Sequence, residues 1–150
     1  MKLQIRRLAH ARDIPLPRYE TPGAAGLDLS AAIKGERIIE PGAKAMIPCG
    51  ISIAVAPGFE AQVRPRSGLA AKNGVTVLNA PGTIDSDYRG EVAAILINHG
   101  TESFTVTRGM RIAQMVIAPV VQAELVEVEA LDETSRGAGG FGSTGTAKSS

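Results

Sequence analysis

The chain has 150 residues, enough for one domain with its own core and too few for two independent catalytic domains. Its apolar content rests on 13 Ile, 11 Val and 10 Leu beside 22 Ala, and with 17 Gly and 9 Pro it is rich in turns, which excludes an all-helical bundle. Lys and Arg number 16 against 15 Asp and Glu, with no block of like charges, so the broad basic surface of a protein that binds polymeric nucleic acid is missing; 11 of the bases are Arg, which leaves a small anionic ligand open.

The N-terminal stretch from Met1 is basic and free of acids until Asp13. Leu3, Ile5 and Leu8 approach strand alternation, and no apolar run or small-residue cleavage site accompanies them, so a strand is expected here and not a targeting peptide. In Thr21 to Leu29, small residues let the backbone pass close to a neighbour, and Asp28 alternates with Leu27 and Leu29, which places it on the opposite face. The runs Ala43–Ile47, Ile51–Val55, Phe59–Val63, Val75–Leu78, Ala93–Ile97 and Arg111–Val120 are short, apolar and closed by Pro or Gly, the pattern of a sandwich or barrel. Ser67 to Gly74 is the exception: a capping Ser, Ala and Leu inside and Gly at the far end predict a helix of one or two turns. The single Cys49 allows neither an internal disulfide nor a Cys-based zinc site, which makes the cytoplasm the default compartment, and no apolar run is long enough to span a membrane. Past Glu133 the composition changes, and residues 137–150 hold five Gly and five Ser or Thr with Phe141 as the one large apolar side chain. On composition this is a solvated terminus.

Five segments carry residues with chemistry. In Asn79 to Glu91, turn signals at Pro81-Gly82 and Arg89-Gly90 enclose Asp85, Asp87 and Tyr88 in a tight hairpin. Acids are ordinary in such turns, but Ile84 beside Asp85 suggests a carboxylate held on the inner face with limited solvation, as a general base needs. Arg64-Pro-Arg-Ser-Gly68 brings two Arg, a hydroxyl and the free N–H groups of a helix start together, which is either a phosphate site or a Ser cap with two solvated Arg. Asp28 is either a surface Asp on a strand or a carboxylate near a metal. Gln114 is the sole polar side chain between Ile112 and Val121, so it needs partners in a network or a ligand. In Arg136 to Gly145, Gly spacing would let Phe141 stack on a base while Arg136, Ser143 and Thr144 reach phosphates; the stretch is not a P-loop, which would need Gly-Lys-Ser/Thr after a strand. His10 and His99 stand apart in sequence, and no cluster has zinc-ligand spacing.

In this order and in an all-β chain of this length, the segments Ala24–Ala32, Arg64–Ala70, Asn79–Glu91, Arg108–Ile117 and Arg136–Gly145 resemble the five motifs of the trimeric dUTP pyrophosphatase (dUTPase) family. GTIDSDYRGE and RGAGGFGSTG are the most specific; Met110 departs from the family, where an acid is common. The resemblance implies an all-β, jelly-roll-like barrel over residues 1–135 with one short helix, and a flexible C-terminal arm, 136–150, that closes over the site. It implies a homotrimer with sites at subunit interfaces, dUTP as substrate, and hydrolysis to dUMP and pyrophosphate, with no polymeric nucleic acid or membrane as partner. By resemblance Asp85 activates the attacking water and touches the 3′-hydroxyl, Tyr88 lies under the deoxyribose, and Asn79 with the hairpin backbone at Ile84 reads uracil. Arg66, Ser67, Gly68 and Gln114 then bind phosphate, Arg136, Phe141, Ser143 and Thr144 belong to the closing arm, and Asp28 contacts Mg²⁺ through water. Two other readings share the sequence pattern in part: a dCTP deaminase of the same fold, which would lack this hairpin and tail, and a non-catalytic nucleotide binder, against which Asp85 argues.

Overall fold

In the computed structural model, which describes residues 1–141, the alternating apolar runs become antiparallel strands. They are β1 (Gln4–Arg7), β2 (Leu27–Ser30), β3 (Glu36–Ile39), β4 (Lys44–Pro48), β5 (Ile51–Ala54), β6 (Phe59–Arg64), β7 (Val75–Val77), β8 (Gly82–Ile84), β9 (Ala93–Asn98), β10 (Phe104–Thr107) and β11 (Arg111–Pro119). A 3-10 turn at Ala9–Ala11 and one helix, α1 (Ser67–Asn73), complete the regular structure of the described residues. Among those residues no helix is long and apolar enough to cross a membrane.

The strands form four sheets, ordered β2-β11-β6-β8, β4-β9-β7, β1-β5 and β10-β3. Their inner faces share one core, in which Leu29, Ile39, Ile47, Leu96, Ile112 and Met115 are each less than 2% exposed. Burying each such side chain contributes roughly 1.5–3 kcal/mol of transfer free energy, so this core dominates the stability of the fold. The arrangement is consistent with a jelly roll, but the ladders do not close into one continuous barrel among the described residues.

Three details differ from the expectation from sequence. β3 and β10 were not among the apolar runs: three of the four residues of β3 are exposed and only Ile39 is buried, so its alternation is too faint to read, whereas β10 does alternate, with Phe104 and Val106 buried, but is only four residues long. Gly82, expected in a turn, opens β8 and pairs with Val63. Ser67 is the first helical residue, not the cap: Arg66 holds the cap position, and no side chain bonds the helix start. The far end behaves as expected, with Gly74 left-handed and its N–H on the Ala70 carbonyl.

β11 fixes the geometry on which the site depends. It lies between β2 and β6, with Gln114 opposite Asp28 on one side and Arg64 on the other, and its register shifts between Arg111 and Ala113. Cys49 is buried, and that burial, with the nearby Glu91 charge added, pushes its thiol up to about 12.

Asn98 is the one polar side chain fully buried among the described residues. Its amide donates to the carbonyls of Ile39 and Glu102, both at 2.8 Å, and its oxygen accepts the Gly100 N–H at 2.8 Å, so it ties β9 to β3 and to the turn before β10. Removing the amide orphans three backbone groups. Asn98→Ala should therefore lower stability by about 2–4 kcal/mol, read as a shift in urea midpoint; a loss below about 0.5 kcal/mol would contradict this role.

Candidate active site

Asp28 sits on the outer face of β2, as its alternation with Leu27 and Leu29 requires. Its side chain is only 20% exposed, and both carboxylate oxygens are taken: Oδ1 by Arg66 Nε and Oδ2 by Arg111 Nη1, each at 3.1 Å. Arg66 is tied a second time, donating from Nη1 to the Arg111 carbonyl at 3.1 Å. Gln114 donates to the Pro65 carbonyl at 2.9 Å, which aligns it with the approach to α1. Gly26 makes this possible, since a Cβ there would lie 2.5 Å from Gln114 Oε1. Asp28, Arg66, Ser67, Gly68, Lys72 and Gln114 line one cavity of about 450 Å³. Two cations, Arg66 and Lys72, against the one acid Asp28 give it a net positive lining, and the N–H groups at the start of α1 have no helical acceptor.

The second cavity, about 460 Å³, is more apolar and lies along the hairpin after β8. Asn79, Gly82, Ile84, Asp85, Tyr88 and Glu91 line it, with Met46 and Ile95 from the adjoining sheet. The hairpin is knit by its own residues: the Tyr88 N–H donates to the Asp85 carbonyl at 3.2 Å, and Arg89 Nη1 donates to the Ser86 and Tyr88 carbonyls at 2.7 and 2.8 Å. The inward placement expected for Asp85 is corrected here. Alternation along β8 buries Gly82 and Ile84, so Asp85, just past the strand, is exposed at the cavity rim.

The residues singled out in the sequence therefore fall into two groups, with Arg66, Ser67, Gly68, Gln114 and Asp28 at one cavity and Asn79, Ile84, Asp85 and Tyr88 at the other. No residue lines both. Arg136 and Phe141 line neither; Arg136 bonds the Gly139 carbonyl at 2.7 Å and Phe141 is fully exposed. Ser143 and Thr144 lie outside the described residues. Sequence reasoning passed over Lys72 and the pairing of Arg111 with Asp28. Lys72 had a signal, because it lies four positions after Gly68 on one helix face. Arg111 had none, since only the pairing of β2 with β11 brings it to Asp28.

The chain thus combines an all-β fold, consistent with a jelly roll, with one cavity of net positive lining and a second, more apolar cavity rimmed by a carboxylate. The dUTPase family pattern matches residues 12–145. The deoxyuridine 5′-triphosphate nucleotidohydrolase of Rhizobium rhizogenes is 60% identical over 145 residues, 95% of this chain and 93% of that protein. The protein of the same name in Methylocella silvestris is 59% identical over 149 residues, 98% of this chain and 93% of its own. A mutant dUTPase of Staphylococcus bacteriophage 80alpha, solved with dUpNHpp, superposes with a TM-score of 0.86 at 25% identity, covering 97% of this chain and 99% of the phage chain. A mutant dUTPase from phage phi11 of S. aureus, described with a coordinated structural Mg(II) ion, shares the fold with a TM-score of 0.78 at 22% identity, covering 89% of this chain and 100% of its own. The chain belongs to the dUTPase family and is a dUTP diphosphatase, which hydrolyses dUTP.

The contact between Gly26 and Gln114 gives a specific expectation. Gly26→Ala displaces the Gln114 amide from Pro65 while the backbone stays in place, so KM for dUTP should rise about tenfold with little change in melting temperature, the worth of one lost ordering hydrogen bond. An unchanged KM would show that Gln114 does not act on the substrate.

Proposed function

We propose that the apolar cavity receives uracil and deoxyribose, that the Arg-lined cavity receives the triphosphate, and that the two halves meet only where chains adjoin in a homotrimer. The observation that carries this reading is the separation itself: one chain offers both halves of a nucleotide site, yet no residue lines both cavities. Residues 120–141, which hold no strand or helix, support it. Val121, Leu125 and Leu131 are 91%, 94% and 87% exposed, and the alternation Val126-Glu127-Val128-Glu129 is that of a strand without a partner. A neighbouring subunit would cover them.

Within that site Asn79 and the hairpin backbone at Ile84 read the uracil edge, and the Tyr88 ring packs under deoxyribose and leaves no room for a 2′-hydroxyl. Asp85 holds a water against the α-phosphorus and contacts the 3′-hydroxyl. The water oxygen bonds to phosphorus, the bond from phosphorus to the bridging oxygen of the β-phosphate breaks, and the water's proton passes to the Asp85 carboxylate and on to solvent. Products are dUMP and pyrophosphate. Arg66, Ser67, Gly68 and Gln114 bind the phosphate chain and stabilise charge developing on the leaving group. Residues 1–135 form the body, and 136–150 an arm whose Arg136, Phe141, Ser143 and Thr144 close over the bound nucleotide.

Mg²⁺ fits this site in one way only. Both Asp28 oxygens are engaged by Arg, and the described residues contain no cluster of three His, Cys, Asp or Glu, so among them no ready-made cage for the ion is present. A metal arriving on the triphosphate needs few protein ligands and keeps its waters, and Asp28 would contact one of them. Such an ion would screen the negative charge of the triphosphate. In the cell this activity limits uracil incorporation into DNA and supplies dUMP for dTMP synthesis, and the single buried, unpaired thiol fits a cytoplasmic setting.

Asp85→Asn keeps the shape of the side chain but cannot take the proton, so pyrophosphate release should fall about 10²- to 10⁴-fold with KM nearly unchanged. Turnover within a factor of a few of the parent would remove Asp85 from the reaction. Deleting residues 136–150 should leave a trimeric mass in sedimentation equilibrium and nearly abolish turnover. Mixing that truncated chain with full-length Asp85→Asn, after verified subunit exchange, should restore part of the rate if arms act across subunits; a truncated enzyme with near-normal kcat would contradict the arm's role.

A further inference from the structure

Glu91 lines the hairpin cavity, and its carboxylate is engaged by residues outside the hairpin. One oxygen, Oε1, accepts the Gly50 N–H at 2.8 Å and lies 2.9 Å from His10 Nε2 in an ion-pair contact. The main chain of the same residue accepts the Tyr88 hydroxyl at 3.1 Å. That bond needs the ring folded back over Gly90, where a Cβ would lie 2.3 Å from the Tyr88 hydroxyl oxygen. Whatever fixes Glu91 therefore fixes the acceptor that holds the Tyr88 ring.

His10 is itself held from behind. Arg108 donates from Nη2 to the His10 carbonyl at 2.6 Å, from Nη1 to the Ile33 carbonyl at 2.9 Å, and from Nε and Nη2 to Asp13 at 2.9 and 2.5 Å. The same ion pair holds the Asp13 carboxyl down at about 2. Gly50 is fixed as well, its carbonyl accepting the Leu8 N–H at 2.9 Å. The turn of residues 8–13 and the turn between β4 and β5 thus grip the Glu91 side chain, while the hydrogen bonds of Arg89 hold the turn of the hairpin but not the Tyr88 ring. Tyr88 is 45% exposed.

We propose that Glu91, clamped between His10 and Gly50, is a positioning residue that orients Tyr88 and so sets discrimination between deoxyribo- and ribonucleotides. The clamp joins the N-terminal turn to the sugar-contacting ring through residues more than eighty positions apart in sequence. It rests on the reading of Tyr88 as the sugar contact given above. A ring left free to swing admits the 2′-hydroxyl and packs less well against deoxyribose, so losing the clamp affects binding and selectivity more than the chemical step.

The test measures kcat and KM for dUTP and UTP in Glu91→Ala, His10→Ala, their double variant, Glu91→Gln and Tyr88→Ala, with melting temperature as the control for folding. Glu91→Ala should raise KM for dUTP about five- to twentyfold with a smaller fall in kcat, and should narrow the dUTP-to-UTP ratio of kcat/KM about tenfold. His10→Ala should change both in the same direction by less, and the double variant should be no worse than Glu91→Ala, because the two residues act through one contact. Glu91→Gln should restore most of the selectivity, since an amide oxygen accepts the same Gly50 N–H and stays within reach of His10. Adding Glu91→Ala to Tyr88→Ala should leave the ratio where Tyr88→Ala alone puts it. If Tyr88→Ala lowers the ratio while Glu91→Ala and His10→Ala leave it at the parent value, the clamp is overturned and the sugar reading stands. A ratio unmoved by Tyr88→Ala overturns both. Should Glu91→Ala not fold, His10→Ala decides: a narrowed ratio supports the clamp and a parental one overturns it.

Discussion

Strand β11 pairs with β2 on one side and β6 on the other, and the register of those two ladders places Gln114 beside Asp28 and Arg64. Side chains alternate along a strand, so a slip of one residue would bury Gln114 and expose Met115, which is fully buried. The apolar neighbours Ile112, Ala113 and Met115 make such a slip costly, and through them the core enforces the geometry of the cavity lined by Asp28, Arg66 and Gln114. The shift between Arg111 and Ala113 lets Arg111 reach Asp28 although the strand continues inward beyond it.

On this frame the charges act through orientation more than through stability. Asp28 neutralises part of the repulsion between Arg66 and Arg111, but ion pairs at a partly solvated surface contribute only about 0–1 kcal/mol each, far less than one buried core side chain. What the pairs supply is direction. Two guanidiniums held by one carboxylate are ordered without a ligand, and in the proposed site Arg66 would meet an incoming phosphate without first losing side-chain freedom. The hairpin follows the same logic with hydrogen bonds: Arg89 knits the turn, and Tyr88 leans on the Glu91 carbonyl.

Much of the fold could be read from spacing. The runs of Ile, Val and Ala that became β4, β5, β6, β7, β9 and β11 carry a period of two strong enough to locate each to within a residue or two, and Gly74 marked the helix end. β3 was illegible because exposed Glu36, Arg37 and Ile38 hide its single buried position. The alternation around Asp28 placed that residue correctly, but the same logic misplaced Asp85, since an apolar neighbour on a strand puts the next side chain outside. The contacts between Glu91 and His10 and between Asp28 and Arg111 left no trace in spacing. They join residues far apart in the chain, and only strand pairing and turn docking bring them together. The separation of the two cavities is likewise a property of the folded chain, because motifs in sequence order say nothing about which of them one subunit can assemble.

The central claim is that the hairpin cavity reads a uracil on a deoxyribose while the arginine cavity holds a triphosphate for cleavage at its α-phosphorus. Initial rates of pyrophosphate release from dUTP, dCTP, dTTP and UTP, measured in parallel with ammonia release from dCTP, test it most directly. The account predicts fast release from dUTP, rates lower by orders of magnitude from the other three, and no ammonia. Comparable pyrophosphate release from all four nucleotides, or ammonia from dCTP, would contradict it.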